Sequence, residues 1–386
     1  MLPCRRFPIS FETAKLRMRS EITQRLLEEK LARLCGRRHA IFVSRATVAL
    51  FLALKALPLK KGSKVVVPSI VCPNVPSAVL YSGFQPIFCD VSKKDFNIDL
   101  GSLEKLLRGD RDIRAVIVPH MYGHPTDLQR LTVLCRKRKV ALIEDIALSL
   151  GGRYQGKPLG SFGEFSVVSF GHTKIIDENG GGAILFDNVG SRKKILDEIR
   201  KLPNHILDER LREMYRAAYI ALMPLARADQ RLAGLYSSFP AVFKDLYLTR
   251  HFDANIIGKI YAAFTDLPSI VEKRNTNAAF YKKHLTHPAI VHPTYQGEGV
   301  HWRYSFLIKG DQQIEIAEKM RKKGIDVSNW YYPTHLLYSP GHTKLPNSEY
   351  VGAHVFNLWV NPEMTKEALE KNVEVVLSVV RETYGE

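Results

Sequence analysis

One lysine of this sequence, Lys174, stands where a reactive amine would be useful. It ends the segment Ser169–Lys174, which overlaps the end of a strand-like apolar run, Phe165–Phe170, and it precedes the glycine triplet Gly180–Gly182 and another apolar run. The pattern predicts a turn that holds the lysine close to a buried sheet. Desolvation there favours the neutral amine, which can form an imine with a carbonyl compound.

A carboxylate ends another predicted strand, Val140–Asp145. Ligands bind at the carboxyl ends of the strands in parallel α/β sheets, so Asp145 is a candidate partner for a bound group. The alternative for this residue is a helix N-cap, which is the more common use of an isolated aspartate.

The segment Ser44–Thr47 lies at the start of a predicted helix, Thr47–Ala56. Free N–H groups and the helix dipole make such a terminus a phosphate site, to which the hydroxyls of Thr47 and Ser169 could add donors. An ordinary Ser/Thr cap is the alternative. A phosphate cradle, a carboxylate and a turn lysine are together what a protein supplies to pyridoxal phosphate (PLP), whose ring nitrogen the carboxylate keeps protonated.

The elements that must position these groups alternate between strands and helices. Ala40–Ser44 is predicted to be a strand or the entry to a turn. Short apolar runs predict strands at Lys64–Pro68, Pro86–Asp90, Arg114–Pro119, Val140–Asp145, Phe165–Phe170 and Gly182–Phe186. Helical patterns such as Asp127–Lys139 lie between several of them, which is typical of a mainly parallel sheet covered on both faces. Residues 187–290 are mostly helical in pattern. From about residue 300, a strand (Arg303–Ile308) and two helices (Gln313–Lys323, Lys366–Thr383) predict a smaller α+β domain.

Length and composition define the broad class of protein. The chain has 386 residues, which suit one large domain and a smaller one, and its 45% apolar and 25% charged residues are usual for a soluble globular protein. The five cysteines are scattered and form no C-x-x-C pair: Cys4, Cys35, Cys72, Cys89 and Cys135. We therefore expect neither a disulfide framework nor a metal site, and we predict a cytoplasmic protein.

The formal charge of +17 permits binding to nucleic acid, anionic membranes or anionic small molecules. The basic residues form no dense stripe and no nucleic-acid-binding motif, so we prefer attraction to phosphorylated substrates over a dedicated nucleic-acid surface.

The apolar run Ala217–Ala226 is too short to span a bilayer, which needs ~20 residues. A buried helix is the preferred interpretation of this run, and an interfacial helix is the alternative.

The order of motifs along the chain resembles the DegT/DnrJ/StrS family of aminotransferases, which are PLP-dependent enzymes of fold type I that act mainly on keto sugars. The resemblance extends from about residue 25 to the end. In order, the motifs are Ser44-Arg-Ala-Thr-Val-Ala-Leu50, Val66-Val-Pro-Ser69, Pro119-His-Met-Tyr-Gly-His-Pro-Thr-Asp127, Ile143-Glu-Asp145, Gly160-Ser-Phe-Gly163, Ser169-Phe-Gly-His-Thr-Lys174, Gly181-Gly-Ala-Ile184, Lys323-Gly-Ile325, Tyr332-Pro-Thr-His335 and Asn357-Leu-Trp-Val-Asn-Pro362. Their order and spacing together are specific.

The resemblance implies an α/β fold with two domains. The large PLP-binding domain covers residues 1–270, with a mostly parallel seven-stranded sheet between helices, an N-terminal helix and a divergent helical insert at about 190–250. The small C-terminal α+β domain covers residues 271–386. The resemblance also implies a homodimer whose active sites are shared between the subunits.

The site residues follow from the same resemblance. Lys174 matches the Schiff-base lysine, and Asp145 matches the partner of the ring nitrogen. The phosphate-binding positions are matched by Ala46, Thr47, Ser169 and, toward the cofactor of the neighbouring subunit, Thr249 and Arg250.

Four positions depart from the family pattern. Ala46 replaces the glycine of a Ser-Gly-Thr motif, although its backbone N–H still serves. Cys72 stands where an aromatic ring usually stacks on the cofactor, and a thiol offers less contact area. Leu148 replaces a Gln or His and cannot hydrogen-bond the 3-oxygen of the cofactor. The segment Thr249–His251 replaces an Asn-Tyr-Arg motif.

The implied reaction is transfer of an amino group, from L-glutamate, to a keto or aldehyde sugar that is nucleotide-linked or acidic, for surface polysaccharide or antibiotic sugar biosynthesis. Tyr332 and His335 are candidates for lining the sugar pocket, and each has a structural role as its alternative. The changes at Cys72 and Leu148 motivate a second hypothesis, a catalytically altered or regulatory binding protein on the same fold. A third hypothesis docks the run Ala217–Ala226 on a membrane, where it would reach a lipid-linked sugar.

Overall fold

The computed structural model describes residues 24–205, 244–338 and 343–385, with isolated positions between 214 and 238. Its first strands are β1 (His39–Val43), β2 (Lys64–Pro68), β3 (Gln85–Cys89), β4 (Ile113–Pro119), β5 (Ala141–Asp145), β6 (Arg153–Tyr154), β7 (Lys157–Pro158), β8 (Phe165–Ser169) and β9 (Gly182–Phe186). Seven of them form one sheet in the order β1–β9–β8–β5–β4–β2–β3, and β6 and β7 pair in a separate ribbon. Strand β9 is antiparallel to both of its neighbours, and the other neighbouring pairs are parallel. The predicted sheet is therefore confirmed, and each strand begins and ends within one residue of its predicted bounds.

Both faces of this sheet are covered, as its apolar strands require. Val65, Val66 and Val67 are consecutive residues of β2, and all three are fully buried. Successive strand residues point to opposite faces, so Val66 packs into one apolar cluster while its two neighbours pack into another. A strand of this kind belongs inside a three-layer α/β fold.

Helices form the outer layers of the fold. Among the described residues they are α1 (Gln24–Leu34), α2 (Ala46–Ala56), α3 (Asn74–Tyr81), α4 (Leu100–Gly109), α5 (Leu128–Arg138), α6 (Val189–Lys201), α7 (Lys244–Tyr247), α8 (Asn255–His284), α9 (Gln313–Lys322), α10 (His335–Tyr338), α11 (Pro346–His354) and α12 (Lys366–Tyr384). The ends of α5 illustrate how the sequence determines them. Asp127 caps its first turn by accepting from the Arg130 N–H at 2.9 Å, and Lys139 ends it in the left-handed conformation at φ 54°.

A second, smaller sheet lies in the C-terminal part. Its strands are β10 (Ile290–Val291), β11 (Tyr304–Ile308), β12 (Val327–Ser328) and β13 (Val355–Leu358), in the order β10–β11–β13–β12. All neighbouring pairs are antiparallel. Residues of α9 and α12 share one apolar cluster with this sheet, which gives the expected α+β arrangement.

The long helix α8 joins the two parts. Ile257 and Phe264, in its first half, pack into a core cluster of the large sheet, and Ala278 and Tyr281, near its end, pack into the core of the small sheet. The predicted boundary between residues 270 and 271 falls inside this helix, and the division into two domains stays a prediction.

The predicted helical insert at about 190–250 begins with α6 and ends with α7. Its apolar run Ala217–Ala226 lies mostly outside the described residues, so the buried and the interfacial interpretations of that run both stay predictions. Of the helices that the structure describes, none is both long enough and apolar enough to cross a membrane.

Three aromatic rings pack together where the large and small parts meet: two of them stack, and His301 meets both edge-on. His124 lies flat on Tyr295, with ring centroids 3.6 Å apart, and its Nε2 is 3.2 Å from Nδ1 of His301. Burial, with a contribution from Lys282, lowers the pKa of His301 to about 4. Burial and the neighbouring His301 hold the pKa of His124 well below its usual range. Both imidazoles are therefore neutral at pH 7.

We expect this junction to lose stability in acid. An unfolded histidine has a pKa of about 6.5, so the unfolded chain binds more protons than the folded chain between that value and the lower folded value. The stabilisation is complete above about pH 6.5 and is lost as the pH falls toward the folded pKa. His301 alone contributes about 3 kcal/mol to the pH-dependent free energy of unfolding. Urea denaturation between about pH 7.5 and about pH 4.5 measures this loss. His301→Gln should flatten the dependence on pH, and an unchanged slope in that variant would contradict the assignment.

Candidate active site

The carboxyl ends of the parallel strands meet at one edge of the large sheet. Asp145 ends β5, and Ser169 ends the adjacent strand β8. Gly182 begins β9 opposite Ser169, and it pairs on its other side with Val43 at the end of β1. The topology therefore brings the predicted carboxylate, the lysine segment and the start of α2 to the same edge.

The two consecutive carboxylates at the end of β5 have different functions, because they point to opposite faces of the sheet. Glu144 is fully buried. Its oxygens lie 3.1 Å from His120 Nε2 and accept from the backbone N–H groups of Gly160, Phe162 and Gly163. Burial acts to raise the pKa of Glu144, but these hydrogen bonds and His120 outweigh it, and the pKa is lowered. Glu144 is thus a structural carboxylate that holds the loop before β8.

Asp145 faces the edge where the other candidate residues lie. Its Oδ1 accepts from the Ala147 N–H at 3.0 Å, and no hydrogen bond joins Oδ2 to another residue that the structure describes. Burial raises the pKa of Asp145, while the Ala147 N–H, Lys174 and His120 act in the opposite direction. Residues 146–151 form a turn and not a helix, so the helix N-cap alternative for Asp145 is wrong.

Lys174 lies in the tight connection between β8 and β9. Its backbone N–H donates to the Gly171 carbonyl at 3.2 Å. Burial raises the pKa of Asp145 and of Cys72, and the positive charge of Lys174 lies close enough to both groups to oppose that rise. The structure therefore places Lys174 within electrostatic range of Asp145, and its catalytic role stays a prediction.

The start of α2 approaches the lysine segment closely. Arg45 pairs with Gly181, and a Cβ on Gly182 would lie 2.5 Å from the Ala46 nitrogen, so only glycine allows this approach. The first turn of a helix leaves its N–H groups without intrahelical partners. Thr47 lies in this turn, and Ser169 lies across β9 from it. These predicted phosphate donors therefore lie on neighbouring elements near one helix N-terminus, where free N–H groups favour an anion. Their contact with a phosphate stays a prediction.

The two atypical positions differ in their surroundings. Cys72 is partly exposed and faces Lys174; burial raises the pKa of its thiol, and Lys174 opposes this. Leu148 is buried in an apolar cluster, where a leucine is stable without a hydrogen-bond partner. Tyr331 is buried near Cys72 and Asp145, and its pKa is raised by burial first and then by the charges around it.

The Thr249 segment lies beside the segment Ser44–Thr47 of its own chain. The Ser44 hydroxyl donates to the Thr249 carbonyl at 2.6 Å. The Thr249 hydroxyl donates to the carbonyls of Pro203 and His205 at 3.2 and 3.1 Å. Arg250 is exposed. Only Arg250 of this pair therefore has a side chain directed to solvent, and its predicted contact with a neighbouring subunit stays a prediction.

The predicted sugar-pocket residues lie in the loop before α10 and at its first residue. His335 is fully buried, with Nδ1 2.6 Å from the Ser69 hydroxyl and Nε2 3.4 Å from Glu349. Burial lowers its pKa, against the effect of Glu349. Tyr332 is half-buried. These contacts give His335 a structural role, and the predicted contact of either residue with a sugar stays a prediction.

The residues at this edge fit PLP. Asp145 offers a buried carboxylate oxygen for the ring nitrogen, and Lys174 offers a primary amine for the aldehyde. The glycine-lined approach to α2 offers N–H groups to the phosphate. Gly182 gives the most direct evidence for the close approach to α2, because a side chain at that position would collide with the nitrogen of Ala46.

Three residues near Lys174 and Asp145 were not predicted from the sequence. Trp302 Nε1 donates to the Thr173 carbonyl, and Asp177 accepts from the Thr173 N–H. Tyr331 lies beside the tyrosine that the motif Tyr332–His335 singled out. Two features of the sequence point to these residues: Asp177 follows Lys174 by three residues, and Trp302 is an aromatic residue just before β11. Neither feature indicates which backbone group the side chain contacts.

A seven-stranded sheet of this order, with an aspartate at the end of β5 and a lysine between β8 and β9, defines a PLP-dependent enzyme of fold type I. The family model described as the DegT/DnrJ/EryC1/StrS aminotransferase family matches residues 13–223 and 258–377. The chain therefore belongs to this family and is a PLP-dependent aminotransferase.

Individual relatives resemble the chain over most of its length. GDP-perosamine synthase of Escherichia coli O157:H7 is 26% identical over 88% of this chain and 85% of its own. The dTDP-3-amino-3,6-dideoxy-alpha-D-galactopyranose transaminase of Aneurinibacillus thermoaerophilus is 25% identical over 90% of this chain and 88% of its own. Among solved structures, Helicobacter pylori PseC, an aminotransferase of pseudoaminic acid biosynthesis, superposes with a TM-score of 0.76 at 20% identity and covers 93% of this chain and 91% of its own. These matches do not favour the regulatory binding protein.

Proposed function

We propose that this aminotransferase moves an amino group from L-glutamate to a keto or aldehyde sugar, nucleotide-linked or acidic, in the synthesis of a surface polysaccharide or an antibiotic sugar. The names of the relatives support a nucleotide-linked sugar, since one makes a GDP-sugar and another acts on a dTDP-sugar. The net charge of +17 suits an anionic substrate of that kind.

Two observations support the proposal: Asp145 ends β5, which pairs with β8, and Lys174 follows β8 within electrostatic range of Asp145. When bound, PLP supplies an aldehyde that accepts the amino group and a ring that delocalises negative charge from the reacting carbon. Lys174, once its amine is free, takes the proton from the α-carbon of the donor as a general base. It then returns a proton as a general acid, a role typically worth roughly 10²–10⁴-fold in rate. Asp145 keeps the proton on the ring nitrogen.

Three further assignments belong to the proposal. The enzyme is a homodimer in which the exposed side chain of Arg250 reaches the cofactor phosphate of the partner subunit. Tyr332, half-buried in the loop before α10, lines the sugar pocket. The cytoplasm is the compartment, which the free thiols of Cys35, Cys72 and Cys89 suit.

A glutamate half-reaction tests the proposal. The purified protein with added PLP should be yellow, and L-glutamate alone should shift its visible absorbance as nitrogen moves onto the cofactor. A panel of nucleotide-linked and acidic keto sugars should then restore the original absorbance, with the correct sugar acting fastest. Restoration by simple keto acids alone, with no response to any keto sugar, would contradict the sugar assignment and leave an amino-acid aminotransferase.

A further inference from the structure

Two side chains hold the backbone of Thr173, the residue before Lys174, from opposite sides. The Thr173 N–H donates to Oδ2 of Asp177 at 2.6 Å. The Thr173 carbonyl accepts from Nε1 of Trp302. Thr173 itself has φ 65°, in the left-handed region that β-branched residues rarely adopt. The conformation is therefore one that the surrounding contacts must impose.

The carboxylate of Asp177 suits this role because each of its two oxygens accepts a backbone hydrogen bond. Its Oδ2 accepts from Thr173 and its Oδ1 accepts from the Asn179 N–H at 3.0 Å, and His172 Nδ1 lies 3.5 Å from Oδ2. Burial acts to raise its pKa, but His172 and the backbone N–H groups outweigh burial, and the pKa is lowered. Asp177 is therefore a carboxylate at neutral pH. An amide at this position could not accept from both N–H groups, because only one of its two terminal atoms is an acceptor.

Ring stacking and a backbone hydrogen bond hold Trp302 in place. Its ring stacks on Tyr122 at 6.3 Å and on Tyr331 at 6.1 Å between centroids, with interplanar angles of 20° and 15°. Its backbone N–H donates to the Tyr122 carbonyl at 3.0 Å. The indole is 2% exposed, so its N–H points to the Thr173 carbonyl without competition from bulk water.

We propose that Asp177 and Trp302 are positioning residues that fix the Thr173 backbone and thereby set the direction of the Lys174 amine toward the reacting carbon. The inference rests on the proposed role of Lys174. It extends that role to two side chains that touch neither substrate nor cofactor. Proton transfer by a held base depends on near-ideal geometry, and a misplacement of about 1 Å can cost on the order of 100-fold in rate. A freed Thr173 would return toward negative φ and turn the Lys174 side chain away.

Asp177→Asn and Trp302→Phe test the proposal, because each removes one hydrogen bond. Asp177→Asn keeps the volume of the side chain, and Trp302→Phe keeps an aromatic ring in the stack although it is smaller than the indole. Each variant should lower the rate of the glutamate half-reaction at saturation about 10- to 100-fold and change the KM for glutamate by less than about 3-fold. A second measurement does not depend on turnover: the cofactor-free protein is mixed with PLP, and borohydride added at intervals fixes the bound cofactor as a covalent pyridoxyl group. The rate at which this group accumulates, read from the near-ultraviolet absorbance of the denatured protein, should fall in parallel. Both are measured at a temperature at which the circular dichroism of the variant equals that of the wild type.

Matched controls separate positioning from a general loss of a hydrogen bond. Asp99→Asn changes a carboxylate that accepts from the Ser102 N–H at the start of α4, and Trp359→Phe removes an indole bond to Asp326. Both should keep wild-type rates. Wild-type rates in Asp177→Asn and Trp302→Phe, with both readouts lost in Lys174→Ala, would overturn the positioning role and leave the proposed function intact. Retention of the borohydride-fixed pyridoxyl group in Lys174→Ala would overturn the proposed function itself.

Discussion

Replacement of Lys174 by alanine should abolish transamination and leave the fold intact. The variant loses the amine that attaches PLP and the group that moves the proton, and the second loss alone is worth roughly 10²–10⁴-fold. Lys174 lies in a turn and is only partly buried, so its truncation removes little core packing. We expect the rate of the glutamate half-reaction to fall at least about 10³-fold. Borohydride reduces the imine between lysine and cofactor to a secondary amine, which bleaches the visible colour and fixes the pyridoxyl group on the chain. The denatured wild type should therefore retain near-ultraviolet pyridoxyl absorbance after this treatment, and the denatured Lys174→Ala variant should not.

The charge of Lys174 can be separated from its chemistry. Lys174→Arg keeps a positive charge beside Asp145 but supplies no amine that can be deprotonated at neutral pH. It should be as inactive as the alanine variant. Lys259→Ala, which removes an exposed lysine on α8, should react as the wild type does. Substantial activity in Lys174→Arg would show that only the positive charge matters and would remove the lysine from the reaction.

The sequence predicts the large sheet well because its signals are local. An apolar run such as Lys64–Pro68 can be buried on both faces only inside a covered sheet. The placement of Asp145 and Lys174 at one edge then follows from topology, since the carboxyl ends of parallel strands coincide. The motif Gly181–Gly182 carries information of the same kind, because the close approach of α2 excludes a side chain there.

What the sequence does not predict depends on contacts between distant segments. Trp302 is 129 residues from Thr173 along the chain, and no periodicity or motif indicates that its N–H meets that carbonyl. His335 contacts Ser69, which is 266 residues away along the chain, so the burial of His335 could not be predicted from the sequence either. The alternative cap role of Asp145 failed for a related reason. A cap requires a helix after it, and the apolar residues that follow Asp145 form a turn against the core instead.

Asp145→Asn should lower the rate of the glutamate half-reaction by about 10²–10³-fold, the range observed when a preorganised electrostatic group is removed. Its Oδ2 is the oxygen that the described residues leave for the ring nitrogen, and a neutral amide cannot keep a proton there. Burial already raises the pKa of this carboxyl, so the charged form depends on a positive partner. Asp145→Asn should therefore also weaken cofactor binding, which titration of the visible absorbance with PLP measures.

The matched control is its neighbour Glu144, because consecutive strand residues face opposite ways. Glu144→Gln keeps the volume but leaves His120 and the Gly160 and Gly163 N–H groups with a poorer acceptor in a dry interior. Loss of such a buried charged acceptor costs about 1–3 kcal/mol, so this variant should melt at a lower temperature yet keep the wild-type half-reaction rate once folded. Asp145→Asn should show the reverse, slow chemistry with little change in melting temperature. If both variants lost stability and neither lost rate, Asp145 would be structural too, and the site at the end of β5 would have to be reassigned.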